Sequence, residues 1–366
     1  MLYRIDEIWL EEEATDYPLT QEILGKLRGT KVFIGDEIAS RQLAVNLAPD
    51  PFRLGKRILR LMKHRGTFVK PCPGTPAYIC CGLEIVHIGQ GCPMDCRYCA
   101  LQAYLNRPVL ELFVNVDDMM DAVRQHLTDA SDVFHRLCTG EFTDSLALEP
   151  LTGVAAKLIE CVSSFRNACL ELKTKSYHVP QILFGTGSPS VVVSFSVNTS
   201  EIIRQEEFRS ATLPQRIAAA VRVQAHGYKV GFHFDPIIPI KNWEEAYLDI
   251  IDRVYGAVDR EGIAWISLGV LRFVPELKVV ASDRFGPIPY YHDGFVRGLD
   301  GKRRLPADRR IQIYRRIAER IRFHHPDARV YLCMESLYVW KESLGIILHN
   351  GQDLARYLEA AVKKTC

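Results

Sequence analysis

From about residue 82 the chain alternates short β-like runs with amphipathic helical stretches, and that alternation restricts its architecture more than any other feature. The β-like runs fall near 84–90, 134–141, 168–175, 190–198, 228–235 and 263–272. Helical stretches between them include 116–127, 149–163, 212–226 and 243–257. Thr212 and Pro214 mark a helix start, and Gly227 a stop. Repeated β-then-α units build a parallel sheet with right-handed crossovers. Six such units do not complete an eight-stranded barrel. The expected fold is therefore α/β, a partial TIM-like (β/α)6 barrel, with a doubly wound sheet as the alternative. The barrel is expected over 81–275, after an N-terminal α/β region (1–80) and before a C-terminal hairpin and helical extension (276–366).

Strand side chains alternate between two faces, so each β-like run divides into two sets. Leu170 and Leu172 oppose Glu171, Lys173 and Lys175. Phe195 and Val197 oppose Ser194, Ser196 and Asn198, and Val230, Phe232 and Phe234 oppose Lys229, His233 and Asp235. Covering helices need the apolar sets, which turns the polar sets inward. A filled barrel would carry branched aliphatics there. Polar inner faces predict either a lumen for a polar ligand or a buried network that satisfies itself.

Composition narrows the class. With 48% hydrophobic and 25% charged residues, the 366-residue chain has the make-up of a soluble globular protein. A formal charge of +2 leaves any nucleic-acid contact to local patches. The opening MLYRIDEIWLEEEATDY has acidic residues where a signal peptide needs an apolar core. No uncharged apolar run approaches the ~20 residues of a membrane span. Eleven cysteines without an export signal argue for a reducing compartment, the cytoplasm, and for metal or catalytic duty. Two segments are locally basic. One holds Arg53, Lys56, Arg57, Arg60, Lys63 and Arg65, a pattern that usually marks a solvated helix face. The other has Tyr290 and Tyr291, turns at Asp293-Gly294 and Asp300-Gly301, then Lys302, Arg303 and Arg304. A helix after Pro306 follows, with Ile311, Tyr314, Ile317 and Ile321 on one face and Arg309, Arg316 and Arg320 on another. Aromatics beside a basic face suit bases and phosphates, and equally an ordinary surface.

Three cysteines, Cys92, Cys96 and Cys99, stand within eight residues of GQGCPMDCRYCALQ, on a loop opened by Gly91. Thiolates at C-x3-C-x2-C spacing match three corners of a cubane iron–sulfur cluster better than a tetrahedral zinc, which takes four ligands. No fourth cysteine lies close by in sequence, which would leave one iron open to a ligand that is not protein. A redox pair of Cys96 and Cys99 would leave Cys92 idle.

At the end of the first strand of a partial barrel, this motif resembles that of the radical S-adenosylmethionine superfamily. IWLEEEATDYPLTQEI, CRYCALQAYLNRP, RLCTGEFTDSLALEPLT, LKTKSYHV, VSFSVNTSEII and RIAAAVRVQAHGYKVGFHFDPII narrow the resemblance to spore photoproduct lyases and their relatives. The matches are colinear from about residue 5 to 275 and weaker beyond. The resemblance implies a [4Fe-4S] cluster on Cys92, Cys96 and Cys99 that binds S-adenosylmethionine at its open iron. It also implies a reducing protein of the flavodoxin or ferredoxin type and a 5′-deoxyadenosyl radical that takes hydrogen from substrate. In spore photoproduct lyase that substrate is a methylene-bridged thymine dimer in DNA, extracted from the base stack. The C-terminal hairpin would then enter the duplex. Lys175 matches a lysine that pairs with the cofactor carboxylate. Ser196 and Asn198 match polar positions near the ribose, and Tyr98 an aromatic between the second and third ligands. Gly140 and Glu141 resemble the Gly-Glu pair that holds the cofactor amino group, with Thr143 beside them as a further cofactor contact. Glu141, Tyr98 and Asp235 are the catalytic candidates.

Two departures from the family pattern bear on the reaction. Glu141 stands where the family has a cysteine that donates hydrogen to the product radical, and Ala100 where it has a tyrosine. Glutamate offers no weak bond to hydrogen. Cys138, an odd three residues from Glu141, is expected on the opposite face as a small outward-facing hydrophobe. Inward Asp235, Lys173 and His233 remain to bind a different substrate or move protons. The expected activity is carbon–carbon lyase chemistry, on a DNA thymine dimer or on a modified nucleotide, peptide or small molecule. A nucleic-acid-binding protein with a structural metal is the reading from another class.

Overall fold

A computed structural model describes residues 3–75, 77–292 and 294–363 of the chain. Eight strands form its main sheet: β1 (Val69–Pro71), β2 (Glu84–Val86), β3 (His135–Cys138), β4 (Ala168–Thr174), β5 (Val191–Ser196), β6 (Lys229–Ile237), β7 (Ile263–Val270) and β8 (Val330–Leu332). They lie side by side in chain order; β1 is antiparallel to β2, and every other neighbouring pair is parallel. A doubly wound sheet reverses its strand order at a switch point. The unbroken order here excludes that alternative and gives a curled half-barrel.

Amphipathic helices return the chain between strands: α1 (Val116–Asp129), α2 (Val154–Ser163), α3 (Leu213–Ala225) and α4 (Trp243–Tyr255). Thr212 caps α3 through the Gln215 backbone N–H while the Gln215 side chain accepts from the Thr212 N–H, and Gly227 beyond its end has φ 97°. The stretch expected as one helix over 149–163 breaks at left-handed Gly153 (φ 63°). There the Glu149 carboxylate accepts from the Ala155 and Ala156 N–H groups and caps α2.

The boundaries expected near 80 and 275 are both crossed by hydrogen-bonded strands. A five-stranded sheet runs Lys31–Ile34, Glu7–Leu10, Ile58–Met62, Leu110–Phe113, Gly89–Gln90. The expected strand 84–90 is therefore shared: Glu84–Val86 joins the half-barrel and Gly89–Gln90 the other sheet. A Cβ at Gly89 would meet the Glu111 carbonyl at 2.3 Å, so only glycine permits that approach. At the other end, α5 (Pro275–Phe285) and α6 (Ala307–His324) precede β8, a seventh parallel strand. Buried Ile311, Tyr314, Ile317 and Ile321 make α6 a barrel helix beside α4. Two of the three arginines of its basic face are taken up by α4, Arg316 with Glu244 and Arg320 with Asp252, while Arg309 is exposed. Arg57, Arg60 and Arg65 likewise pair with Asp6, Glu11 and Glu13, which accounts for much of the N-terminal basic run.

Parallel register partners share a face, and Cys138 is level with Glu171 and Ile85. Cys138 therefore faces inward beside Glu171 and Lys173, contrary to the outward expectation. Strand β3 ends at Cys138, so alternation does not extend to Glu141. The polar lumen has two layers. In the lower one, Glu171 Oε1 accepts from Ser194 (2.6 Å), His233 (2.8 Å) and Trp265 (2.9 Å), while Glu171 Oε2 has no hydrogen-bond partner among the described residues. Burial opposes its charge, but Lys173, His233 and Arg136 hold the Glu171 carboxyl well below the usual range. Lys173, Lys175, Ser196 and Asp235 form the upper layer at the strand C-terminal ends and keep partial exposure.

Candidate active site

The cysteine loop lies at that C-terminal end, where parallel barrels build their sites. Cys96 is buried, Cys92 and Cys99 half-buried, and all three are unbridged. Gly91 enters the loop at φ 82°, and a Cβ there would meet the Val109 carbonyl at 2.9 Å. Asp95–Cys96 pairs antiparallel with Glu207–Phe208. Lys56 donates to the Cys92 carbonyl at 2.8 Å and to the Met94 carbonyl. Gln102 donates to the Cys96 carbonyl at 3.0 Å and in turn accepts from Arg284 of α5. Arg284 also grips Asp50 and Asp95. The loop is thus clamped by the N-terminal region on one side and α5 on the other.

Burial pushes the Cys92 thiol up to about 12, with Asp144 adding to the rise and Lys56 opposing it. Burial drives Cys96 well above the ordinary thiol range, against the pull of Lys175. Among the described residues, ligand atoms of three His, Cys, Asp or Glu side chains converge within 4.8 Å only at Glu84, His126 and His135. Three neighbouring unbridged thiols and two ammonium groups, Lys56 and Lys175, that favour thiolate fit a cubane cluster with three protein ligands.

Lys175 follows β4 and is held by Asp144, whose Oδ2 accepts from the Lys175 N–H at 2.7 Å. The other Asp144 oxygen accepts from Thr174, Leu146 and Ala147. The Lys175 ammonium stands 5.9 Å from the Tyr98 ring centroid. Burial works against its charge, and Glu207 with Cys96 outweighs burial and raises it. Tyr98 donates to Glu207, which is paired with Arg216, so the hydroxyl points away from open lumen. Burial, then Glu207, puts that phenol well above its normal range.

The remaining candidates differ in freedom. Gly140 sits so close to β4 that a Cβ would meet the Lys173 Cβ at 2.7 Å. Glu141 and Thr143 are half-buried and have no side-chain hydrogen bond among the described residues. Ser196 gives its carbonyl to Arg216 and keeps its hydroxyl toward the lumen. Asn198 is 1% exposed; its amide donates to the Pro236 carbonyl and accepts from Tyr247 and the Thr199 N–H. Asp235 is held by both nitrogens of Arg272, at 3.1 and 3.0 Å. Lys56, Asp144, Arg284 and the Glu207–Arg216 pair escaped sequence reasoning. Only Asp144 had a local signal, as an Asp ahead of two backbone N–H groups that it accepts.

Beyond β7, Arg272–Phe273, Val296–Arg297 and Arg303–Arg304 form a small antiparallel sheet. Asp293 of the expected Asp293-Gly294 turn lies outside the described residues. Arg297 and Arg303 are register partners and exposed, and Leu299 at the tip is 81% exposed. Arg304 is buried, paired with Asp300 and stacked over Tyr78. Tyr290 and Tyr291 are buried as well, so neither is placed to stack on a base. Among the described residues no helix is long and apolar enough to cross a membrane.

A parallel half-barrel with a three-cysteine loop at its mouth defines the radical S-adenosylmethionine class of enzyme. Residues 3–286 match the family model for spore photoproduct lyase. The spore photoproduct lyase of Bacillus subtilis is 24% identical over 259 residues, covering 69% of this chain and 74% of that protein. That of Clostridium acetobutylicum is 24% identical over 246 residues, covering 66% and 71%. The chain therefore belongs to the spore photoproduct lyase family of radical lyases. A solved spore photoproduct lyase double mutant with bound AdoMet and dinucleoside spore photoproduct superposes with a TM-score of 0.79. It is 22% identical, and the match covers 91% of this chain and 100% of that one.

Proposed function

We propose that the protein carries a [4Fe-4S] cluster on Cys92, Cys96 and Cys99, binds S-adenosylmethionine beside it, and acts on a thymine-dimer lesion in DNA. The observation that carries this reading is that three unbridged thiols of one loop and the Lys175 ammonium lie at the same end of the polar lumen. When bound, the cluster and S-adenosylmethionine together supply one-electron cleavage that yields a 5′-deoxyadenosyl radical. Lys175, braced by Asp144, binds the cofactor carboxylate as a charge-assisted pair. Glu141, with no protein partner among the described residues, takes the cofactor ammonium, and Gly140 lets its loop lie against β4. Thr143 adds a polar contact there, and Ser196 offers its hydroxyl to the ribose. Asn198 acts as a positioning residue, since its amide is already bonded to protein. Tyr98 covers the Lys175 side of the pocket with its ring, and Asp235 orients Arg272 toward substrate.

The exposed Arg297, Leu299 and Arg303 of the hairpin support a duplex partner: two cations for phosphates and one apolar wedge. Glu141 in place of a hydrogen-donating cysteine favours a second reading, the same radical chemistry on a modified nucleotide, peptide or small molecule. The deciding experiment is anaerobic cluster reconstitution, dithionite and S-adenosylmethionine, with 5′-deoxyadenosine quantified with and without thymine-dimer DNA. Formation of 5′-deoxyadenosine with the dimer converted to two thymines in the DNA is the expected result. Formation that ignores the DNA, with the dimer left intact, would move the enzyme to the second reading.

A further inference from the structure

A second cluster of ligating side chains lies on the outer face of the half-barrel, at the end opposite the cysteine loop. Glu84 begins β2, His135 begins β3, and His126 lies in the last turn of α1. Outward placement follows from register: Glu84 is level with Leu137, which shares a face with His135, while Arg136 and Cys138 point inward. The Glu84 oxygens reach His126 Nε2 at 2.9 Å and His135 Nδ1 at 2.8 Å. The two imidazole centroids are 4.8 Å apart.

The second nitrogen of His135 makes this more than an ordinary hydrogen-bonded group. Nε2 of His135 faces the Ala130 carbonyl at 3.1 Å. A carbonyl only accepts, so Nε2 carries a hydrogen. In the neutral ring Nδ1 then presents a lone pair, and it points at a carboxylate oxygen, which is also only an acceptor. Two acceptors at 2.8 Å need a positive charge between them, which a second ring proton or a metal ion supplies. Metal-binding histidines show the same arrangement, with the non-ligating N–H given to a backbone carbonyl that fixes the tautomer. The His135 side chain is 4% exposed, whereas His126 and Glu84 are 34% and 23% exposed. Water can therefore complete a coordination shell on that open side.

The geometry points to a divalent-metal site of the zinc class, formed by Glu84, His126 Nε2 and His135 Nδ1, that braces the two strands leading to the catalytic loops. Two imidazoles and one carboxylate suit zinc, whereas magnesium and calcium take oxygen shells. The site lies at the strand N-terminal ends, where barrels place stabilising rather than catalytic groups. β2 leads to the cysteine loop and β3 to Gly140 and Glu141, so one ion would tie the bases of both to α1. This does not depend on the radical chemistry, and its test does not read activity.

The test uses the full-length protein with its iron–sulfur content reconstituted anaerobically, stripped of loose metal and titrated with zinc chloride. Calorimetry and elemental analysis give the stoichiometry, and zinc-edge X-ray absorption gives the ligand type. His126→Ala and Glu84→Gln serve as variants because both positions are partly exposed, and circular dichroism checks that each variant stays folded. The expected result is one tightly bound zinc with nitrogen and oxygen neighbours at about 2.0 Å and no sulfur at about 2.3 Å. That zinc is lost in both variants while iron content holds, and the melting temperature of the wild type alone rises by about 3 °C with zinc. No zinc uptake, uptake equal in wild type and variants, or a sulfur shell would each overturn the site; a proton would then hold His135 to Glu84.

Discussion

A carboxyl group at position 141 cannot return a hydrogen atom to a carbon radical as a thiol does, because it has no weak bond to hydrogen. With S-adenosylmethionine at a concentration that offsets the lost ammonium contact, Glu141→Cys places a thiol beside Lys173 and is expected to raise the yield of restored thymine in lesion DNA by about tenfold or more, which corresponds to at least ~1.4 kcal/mol of barrier. Product chromatography under anaerobic turnover reads it directly, and equal yields from both proteins would remove hydrogen return as the obstacle. Glu149 gives a stability test at the same scale. Burial raises its carboxyl from the ordinary 4.5 to about 7, despite the Ala155 and Ala156 N–H groups it accepts. A folded-state value above the unfolded one means the folded chain binds more protons between pH 4.5 and 7, so stability falls as pH rises through that window. The full penalty, about 3 kcal/mol, is present above pH 7 and absent below pH 4.5. Urea unfolding of Glu149→Gln at pH 5 and pH 8 should show a flatter dependence than wild type; parallel slopes would contradict the assignment.

Two arginine-bearing elements look alike in sequence and differ in the fold. On α6, Arg316 and Arg320 face α4 and are neutralised by Glu244 and Asp252. The hairpin arginines Arg297 and Arg303 have no acidic partner among the described residues. Replacing both hairpin arginines with alanine is expected to weaken duplex binding and to reduce the slope of log affinity against log salt by about 2. The same change at Arg316 and Arg320 leaves that slope unaltered, and it costs little stability because exposed ion pairs are screened by water. Fluorescence anisotropy with a lesion duplex at several salt concentrations separates the two. Loss of affinity from α6 alone would reverse the assignment.

The cysteine loop depends on the whole molecule. Arg284 comes 185 positions after Cys99 in the chain, yet it holds Asp95, Asp50 and Gln102 together. Arg284→Met would leave Asp95 largely buried beside only Lys56, a loss of about 2–4 kcal/mol. Reconstituted iron per chain should fall while far-ultraviolet circular dichroism is retained. Unchanged iron content would show that the loop holds its shape without α5.

The half-barrel and the cysteine motif are legible in the chain because both are written at short range. Periodicity needs only neighbouring residues, and the C-x3-C-x2-C spacing lies within eight residues of one loop. The alternation also placed Glu171, Lys173, Ser194, Ser196 and His233 on one face correctly. It failed at Cys138 and Glu141, where the strand ends and the period of two no longer holds. Tertiary structure alone decided which polar side chains are free. Asn198 and Tyr98 read like Ser196 and Glu141 in the chain, but distant Tyr247, Pro236 and Glu207 occupy their polar atoms. The seventh parallel strand and the Lys56 and Arg284 clamps escaped for the same reason. A hydrogen bond or ion pair is made in space, and a partner tens or hundreds of residues away leaves no periodic mark on the chain.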